Sequence, residues 1–506
     1  MPLLVRAAAQ SPSLAPRLRG APSEHAGLMS EVAPLSPETS VAVIGGGISG
    51  LTAAWELIHR APQAQVVLLE ASDRPGGVLQ TEHRDGFTLE LGPDSFLRRL
   101  PWAAGLCRTI GLEGDVIPTQ PAAAGTYTVF RGRLVKMPEG LAAMAPRRIW
   151  PMIRTPILSP LGKMRMGAER ILPRRRGGGE ESLAQFARRR FGREGLERII
   201  QPLAGGIYMG DPEQLGMQAA FPQLVAAEQE SGSLIRSTRR AAAKAAKSPP
   251  GPGETLFAAL RRGFSQLVDA LVDSLPPEVV RTNHRVESLV RAGDGWRVRG
   301  FGPDDEPFDD AFDRVIVAAP ARRAGDMLAD VDAQLATTLR EIPTTSCVVV
   351  NVALPRDAVP HPLDAAGIIV PHVEQRPIAA CTFSSVKYAG RAPDGMALLR
   401  AFLGGAERPE LIDAHDGEIE ALVRGELRAL LGVTAEPRFV RISRWRDAMP
   451  QYHVGHLQRV AQIEARVAAL PQLELTGNAY RGVGIPHCIN GAQQAVERLL
   501  TAAPSP

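Results

Sequence analysis

The stretch Val41-Ala42-Val43-Ile44-Gly45-Gly46-Gly47-Ile48-Ser49-Gly50-Leu51-Thr52-Ala53-Ala54 reads as a buried strand that runs through a glycine turn into a helix. Gly45 allows the tight turn off the strand, Gly47 lets backbone approach a pyrophosphate with no Cβ between them, and Gly50 lets the helix lie close on the sheet. Gly46, Ile48 and Ser49 complete the loop, whose free N–H groups point at the phosphates from the helix N-terminus. Val66-Val67-Leu68-Leu69 predicts a second parallel strand, and Glu70, twenty positions after Gly50, stands where a carboxylate accepts the ribose hydroxyls. An acid there disfavours a 2′-phosphate. A lone GxGxxG also fits a merely tight βα turn; the order strand, turn, helix, strand, Glu is what predicts a dinucleotide site.

Composition bounds what the rest of the chain can be. At 506 residues it exceeds one simple core, so two or three folding units are expected. A hydrophobic content of 44% is that of a globular protein, and a net charge of +4 is too mild to argue for nucleic acid. Cys107, Cys347, Cys381 and Cys488 form neither a CxxC pair nor a Cys/His ligand set, which reads as reduced thiols in a cytoplasmic setting without a metal site. No run of eighteen apolar residues offers a membrane span. Residues 1–37 read as a disordered or extra tail, the functional chain beginning near Met29; the Arg6, Arg17 and Arg19 segment also has the look of a transit peptide.

Downstream of Glu70, Ala71-Ser72-Asp73-Arg74-Pro75-Gly76-Gly77-Val78 is a glycine turn with one cation, able to wrap the far side of a dinucleotide. Tyr127 to Met137 predicts a hairpin. From Leu161 a helix is expected with Leu161, Met164, Ala168, Ile171 and Leu172 on one face and Lys163, Arg165 and Arg170 off it. That pattern suits a membrane surface and equally a helix packed on its own domain. Between Arg198 and Asp211, glycines and Pro202 interrupt a helix, so backbone is expected to be exposed there. Ala241 to Gly253 reads as a mobile loop, Phe257 to Leu275 as a helix, and Gly293-Asp294-Gly295 as the turn of a hairpin ahead of a buried strand at Asp313 to Pro320. Four strands at Ser346–Leu354, Gly367–Pro371, Ala379–Ser384 and Ala397–Leu403 predict a mostly antiparallel, substrate-carrying sheet.

Together these motifs resemble the FAD-dependent porphyrinogen oxidases of haem biosynthesis, within the amine oxidase superfamily. The likeness rests on Gly76-Gly77 after Glu70, on Gly92-Pro93-Asp94-Ser95-Phe96, on Gly205-Gly206-Ile207-Tyr208-Met209-Gly210-Asp211, on Phe221-Pro222 with Glu228 and Gly232-Ser233, and on Gly482-Val483-Gly484-Ile485-Pro486. It runs from about Val41 to Leu500. The resemblance implies an α/β fold: a Rossmann-like FAD-binding domain in the discontinuous segments 38–100, 255–322 and 437–503, a mainly helical domain at 101–254, and an inserted mixed or antiparallel substrate sheet at 323–436.

It also implies noncovalent FAD, held by Gly45, Gly46, Gly47, Ile48, Ser49, Gly50, Glu70, Ala71, Arg74, Gly76, Gly77, Val78, Gly92, Pro93, Asp94, Ser95, the backbone of Val286, Trp445, Gly477, Val483, Gly484 and Ile485. Ile369, Thr382 and Phe402 match positions that line the tetrapyrrole, although Thr382 replaces an apolar residue and Phe402 also fits plain sheet core. The backbone carbonyl of Gly206 matches the group that approaches the reacting macrocycle, as a proton acceptor. Some relatives bind a propionate with an Arg just before the hairpin tyrosine; Thr126 stands there, so Arg98 or Arg99 is expected to serve. His487 replaces the Asp that often follows the Gly-Ile-Pro turn.

The activity implied is six-electron oxidation of coproporphyrinogen III or protoporphyrinogen IX by molecular oxygen, with release of hydrogen peroxide. The implied setting is cytoplasmic, with attachment to the inner face of a membrane and a homodimer left open. No catalytic triad is found, and none is needed where the cofactor carries the hydride chemistry. The alternatives are another flavoenzyme of the superfamily, acting on an amine or a polyene, and a noncatalytic flavin or porphyrin carrier.

Overall fold

The computed structural model describes residues 39–142, 145–146, 148–247 and 255–501. The expected tail at 1–37 and part of the expected loop at 241–253 lie outside these residues. The chain opens with strand β1 (Ser40–Ile44), helix α1 (Ile48–Arg60) and β2 (Gln65–Leu69). It leaves through a hairpin, β3 (Tyr127–Phe130) and β4 (Arg133–Lys136), and a run of helices that includes α2 (Gln201–Tyr208). It returns as β5 (Val280–Arg281) and β6 (Arg314–Val317), then departs again for β7 (Thr344–Pro355), β8 (Gly367–Ile369), β9 (Ile378–Phe383), β10 (Met396–Gly404), helix α3 (Asp416–Leu431) and β11 (Phe439–Pro450). The last elements are β12 (Leu473–Leu475) and α4 (Ile485–Thr501).

Two sheets organise the molecule. The first is parallel, in the order β5-β2-β1-β6-β12, and draws its strands from four distant parts of the chain. Val41, Ala42, Val43, Val315, Ile316 and Val317 are wholly buried because both faces of this sheet are covered, and that is why its strands are continuous apolar runs rather than alternating ones. The second sheet runs β11-β7-β10-β9-β8-β3-β4 and is antiparallel except where β8 meets β3. Alternate residues divide its two faces. Val348, Val350, Leu399, Ala401 and Phe383 pack beneath Ile419, Val423 and Leu427 of α3, while on the opposite face Ala353 and Leu398 pack against Phe87, Leu89 and Leu91.

Three expectations change at this level. The hairpin 127–136 and the strand 439–450 are the edges of this second sheet, rather than parts of the expected segments 101–254 and 437–503. Phe257–Leu260 is a strand paired on both sides, not the start of a helix; the helix begins only at Ser265, after Gly263 turns at φ +84°. The helix expected from Leu161 through Leu172 is short, Pro160–Gly167, and buries Gly162 and Met166, while Leu161 and Met164 are exposed, which removes the packed-face alternative for these two.

Candidate active site

The glycine turn between β1 and α1 is built as its residues demand. A Cβ on Gly50 would overlap the carbonyl oxygen of Gly45, which itself turns at φ +105°. Gly46 N–H donates to Glu70 Oε2 at 2.6 Å, while Ser72 N–H and Oγ–H donate to Oε1. Among the described residues nothing lies within 4 Å of a Cβ built on Gly47. Helix α1 starts there without a side-chain cap and without an acid in its first turn, so its leading N–H groups face an open cradle that an anion fits. The second glycine turn lies against the first: Gly76 N–H donates to Gly46 O at 2.7 Å, and Gly77 stands beside Gly47. Ala71 is exposed, Val78 is half-buried with its carbonyl against Gly92, and His284 N–H donates to Glu70 O at 2.8 Å, bringing the strand of Val286 to the same end. Arg74 is committed to Pro75 O, Gly77 O and Gln80, so here it latches its own loop.

The Gly92–Ser95 loop and the Gly477–Ile485 turn meet the second sheet from this side. Trp445 Nε1–H donates to Leu91 O at 2.6 Å. Asp94 receives Lys387 Nζ at 2.9 Å and Ser95 Oγ–H at 2.8 Å, with Arg400 at 3.6 Å. Burial alone would raise the Asp94 carboxyl, but Lys387 and Arg400 hold it well below the usual carboxylate range. Its side chain therefore ties the loop to the sheet, and only backbone is left to face a cofactor. Pro93 is half-buried beside it. Further on, Gly477 and Gly482 take φ +142° and +144°, Gly484 is exposed, and Val483 packs on the helices; Ile485 anchors the start of α4 in the core next to α1. Like α1, α4 has no acid in its first turn.

The side of the second sheet turned away from α3 carries the residues expected to line the ligand. Ile369, Ala380 and Phe402 form one row across β8, β9 and β10, and Thr382 stands with Arg400 in the next. With strands about 4.8 Å apart, that row spans about 10 Å. All four of Ile369, Ala380, Thr382 and Phe402 are half-buried. Helix α2 packs against β8 and β9. It follows a π-turn at Leu196–Ile200 and stops because Met209 turns left-handed at φ +46°, capping Gly205 O with its N–H. Gly206 is exposed, a Cβ on it would meet nothing within 4 Å, and its carbonyl accepts no hydrogen bond among the described residues. Arg98 follows a strand of a separate small sheet, Phe96–Leu97, and is not on the wall; Arg99 is exposed.

Arg400 was not among the expected site residues. It donates to Gly92 O and stacks on Phe402 with its guanidinium carbon 4.6 Å from the ring centroid. The available signal was a single cation in an otherwise apolar strand, Leu398-Leu399-Arg400-Ala401-Phe402-Leu403. Glu90 completes the buried cluster: desolvation, only partly opposed by Arg391, raises its carboxyl to about 7.

Known proteins share this arrangement over most of its length. The chain is 34% identical to coproporphyrinogen III oxidase of Bacillus subtilis, covering 91% of this chain and 98% of that one. It is 31% identical to the Staphylococcus aureus enzyme of the same name, covering 91% and 99%. The chloroplastic protoporphyrinogen oxidase of Nicotiana tabacum is 28% identical, over 91% and 85%. Among solved structures, a protein from Exiguobacterium sp. 255-15 provisionally called a protoporphyrinogen oxidase superposes with a TM-score of 0.81 at 28% identity, covering 92% and 99%. The profile of the flavin containing amine oxidoreductases matches residues 48–500, a span that takes in helix α1, both sheets from β2 onward and the turn before α4, and the chain belongs to that family.

Proposed function

We propose that this chain oxidises coproporphyrinogen III to coproporphyrin III, within an activity that is flavin-dependent oxidation of a porphyrinogen in haem biosynthesis. The observation that carries the choice is full-length similarity at 31–34% identity to bacterial enzymes named for coproporphyrinogen III, against 28% to a plant enzyme named for protoporphyrinogen. Molecular oxygen is the final electron acceptor and hydrogen peroxide its product.

FAD is the cofactor, and bound FAD supplies the hydride acceptance. The chain's own part is to bind, orient and keep dry. The cradle at Gly47 and the first turn of α1 hold the pyrophosphate, and Glu70, whose oxygens keep spare lone pairs, holds the ribose. Ile369 and Phe402 lie flat against the macrocycle, Thr382 offers the wall a hydroxyl, and the free carbonyl of Gly206 accepts a hydrogen bond from a pyrrole N–H on the opposite side. Holding the reacting carbon in one orientation between these two sides supplies most of what such a transfer needs.

The deciding experiment is aerobic turnover of the purified flavoprotein on coproporphyrinogen III and protoporphyrinogen IX side by side, followed by porphyrin fluorescence. A higher kcat/KM on coproporphyrinogen III is expected. A preference for protoporphyrinogen IX overturns the choice of substrate, and no turnover of either by reducible flavoprotein overturns the porphyrinogen reading.

Attachment to the inner surface of the cytoplasmic membrane is part of the same proposal. Among the described residues no helix is long and apolar enough to cross a membrane. What supports a surface contact is the outward apolar face at 150–171, with Arg148, Arg154 and Arg170 exposed beside it.

A further inference from the structure

The segment Pro450-Gln451-Tyr452 joins both sides of the site, and neither side chain has yet been given a role. Tyr452 is 1% exposed. Its hydroxyl donates to Asn478 O at 2.6 Å and accepts from Gly482 N–H at 2.7 Å. One oxygen thus pins both ends of the loop between β12 and α4, across the bend that the left-handed glycines Gly477 and Gly482 permit. The ring of the same residue lies 5.9 Å from Tyr208, the last residue of α2, and is stacked on His456 at 4.0 Å with an interplanar angle of 12°. His456 Nε2 contacts Tyr480 O at 2.9 Å; because a carbonyl only accepts, Nε2 carries the proton, and the imidazole braces the middle of the same loop.

Gln451 does the complementary work on α2. Its amide Nε2 donates to Tyr208 O at 2.9 Å and to Thr345 Oγ1 of β7 at 2.9 Å, fixing the end of α2 to the substrate sheet. The neighbouring Gly210 leaves no room for a side chain, since a Cβ there would overlap Gln451 Oε1. Gly206, whose carbonyl is free, lies only two residues before Tyr208. The two consecutive side chains therefore set one distance: from the closing turn before α4 to the carbonyl of α2.

We infer that Tyr452 is a positioning residue, which with Gln451 holds the cofactor-side turn 477–482 and the Gly206 end of α2 in register across the porphyrinogen. This rests on the flavin and porphyrinogen reading above. Hydride transfer falls steeply when the two reactants lose alignment, whereas affinity for either depends on walls that Tyr452 does not form.

The test compares wild type, Tyr452→Phe and Gln451→Met as FAD-loaded full-length proteins. Tyr452→Phe keeps the ring and removes both hydroxyl bonds. Anaerobic bleaching of the flavin by coproporphyrinogen III is expected to slow by about tenfold or more while KM moves by less than about threefold. In the absence of substrate, the Gly482 amide is expected to exchange hydrogen faster in Tyr452→Phe than in wild type, with or without FAD. Gln451→Met is expected to slow bleaching while Gly482 exchange stays at the wild-type rate. Wild-type bleaching rates in Tyr452→Phe, or a lowered melting temperature with bleaching and KM unchanged, overturn the inference. Should Tyr452→Phe not fold, wild-type bleaching in Gln451→Met overturns it alone. Failure of the wild-type flavin to bleach with either porphyrinogen sinks instead the reading on which it rests.

Discussion

Arg400 carries the electrostatics of the site at the scale of one residue. It is 3% exposed, it serves Gly92 O, Asp94 and the face of Phe402 at once, and among the described residues no other cation reaches all three. Removing it leaves acceptors and a carboxylate short of compensation in a dry setting, so Arg400→Leu is expected to lose about 3–5 kcal/mol of stability. Arg400→Lys should recover only part, because an ammonium has neither the planar fork nor the stacking face. Denaturant unfolding of the two variants measures this, and an Arg400→Leu protein as stable as wild type refutes the role. Glu90 makes a pH-dependent contribution. Its carboxyl titrates at about 7 in the fold against 4.5 in an unfolded chain. The folded protein therefore keeps a proton that the unfolded chain gives up, and stability falls as pH rises through that window, by about 3 kcal/mol at most. Glu90→Gln should be level across it; the difference between variant and wild type, followed by thermal melting from pH 4.5 to 7.5, isolates the effect.

Among the elements, the β1–α1 turn separates folding from binding. Gly50 is required by the protein itself, since its Cβ would strike Gly45. Gly47 is not, since among the described residues nothing lies within 4 Å of a Cβ there and its φ of −69° suits alanine. Gly47→Ala should therefore leave the melting temperature of the apoprotein within about 1 °C of wild type, the shift that about 1 kcal/mol gives a chain of this length, while weakening FAD binding at least tenfold. Fluorescence titration of apoprotein with FAD reads the second, and unchanged affinity would remove the pyrophosphate from this cradle. The same turn shows why parts of the fold were legible in sequence. Buried parallel strands and glycine turns have local signatures, and the wall residues Ile369, Thr382 and Phe402 sit on strands whose alternation is visible. Other features depend on partners far away. The hairpin 127–136 is recognisable as a hairpin, but its place on the substrate sheet comes from β8, more than 230 residues later. Phe257-Ala258-Ala259-Leu260 is too short for periodicity to tell strand from helix, and only its two neighbours decide. Arg400 escaped because one cation in an apolar strand names no partner until Gly92 and Asp94 are beside it.

For the whole molecule the open question is what meets the apolar face of the helices at 149–171. Period alone put Leu161, Met164 and Ile171 on one side; it does not say whether that side faces core or solvent. In the fold they are 72%, 64% and 81% exposed, with Trp150 at 70%. The two helices adjoin, because Lys163 Nζ donates to Ile153 O at 2.8 Å. Arg165 is not part of the charged rim, as its guanidinium is taken by the carbonyls of Arg188, Arg189 and Arg190. Arg154, 5.9 Å from the centre of the Trp150 ring, and the exposed Arg148 and Arg170 are the cations beside the face among the described residues. An anionic bilayer suits both features, since indole and aliphatic side chains enter the interface while each nearby basic residue adds about 1 kcal/mol. Full-length protein is therefore expected to co-sediment with vesicles containing phosphatidylglycerol and to release at high salt. Arg154→Glu with Arg170→Glu should weaken partitioning by about 30-fold or more, the equivalent of at least 2 kcal/mol. Leu161→Ser with Met164→Ser should weaken it independently of salt, without touching turnover of a porphyrinogen delivered in detergent. Binding that survives the charge reversals refutes the electrostatic part, and binding that survives the serine pair refutes the face itself.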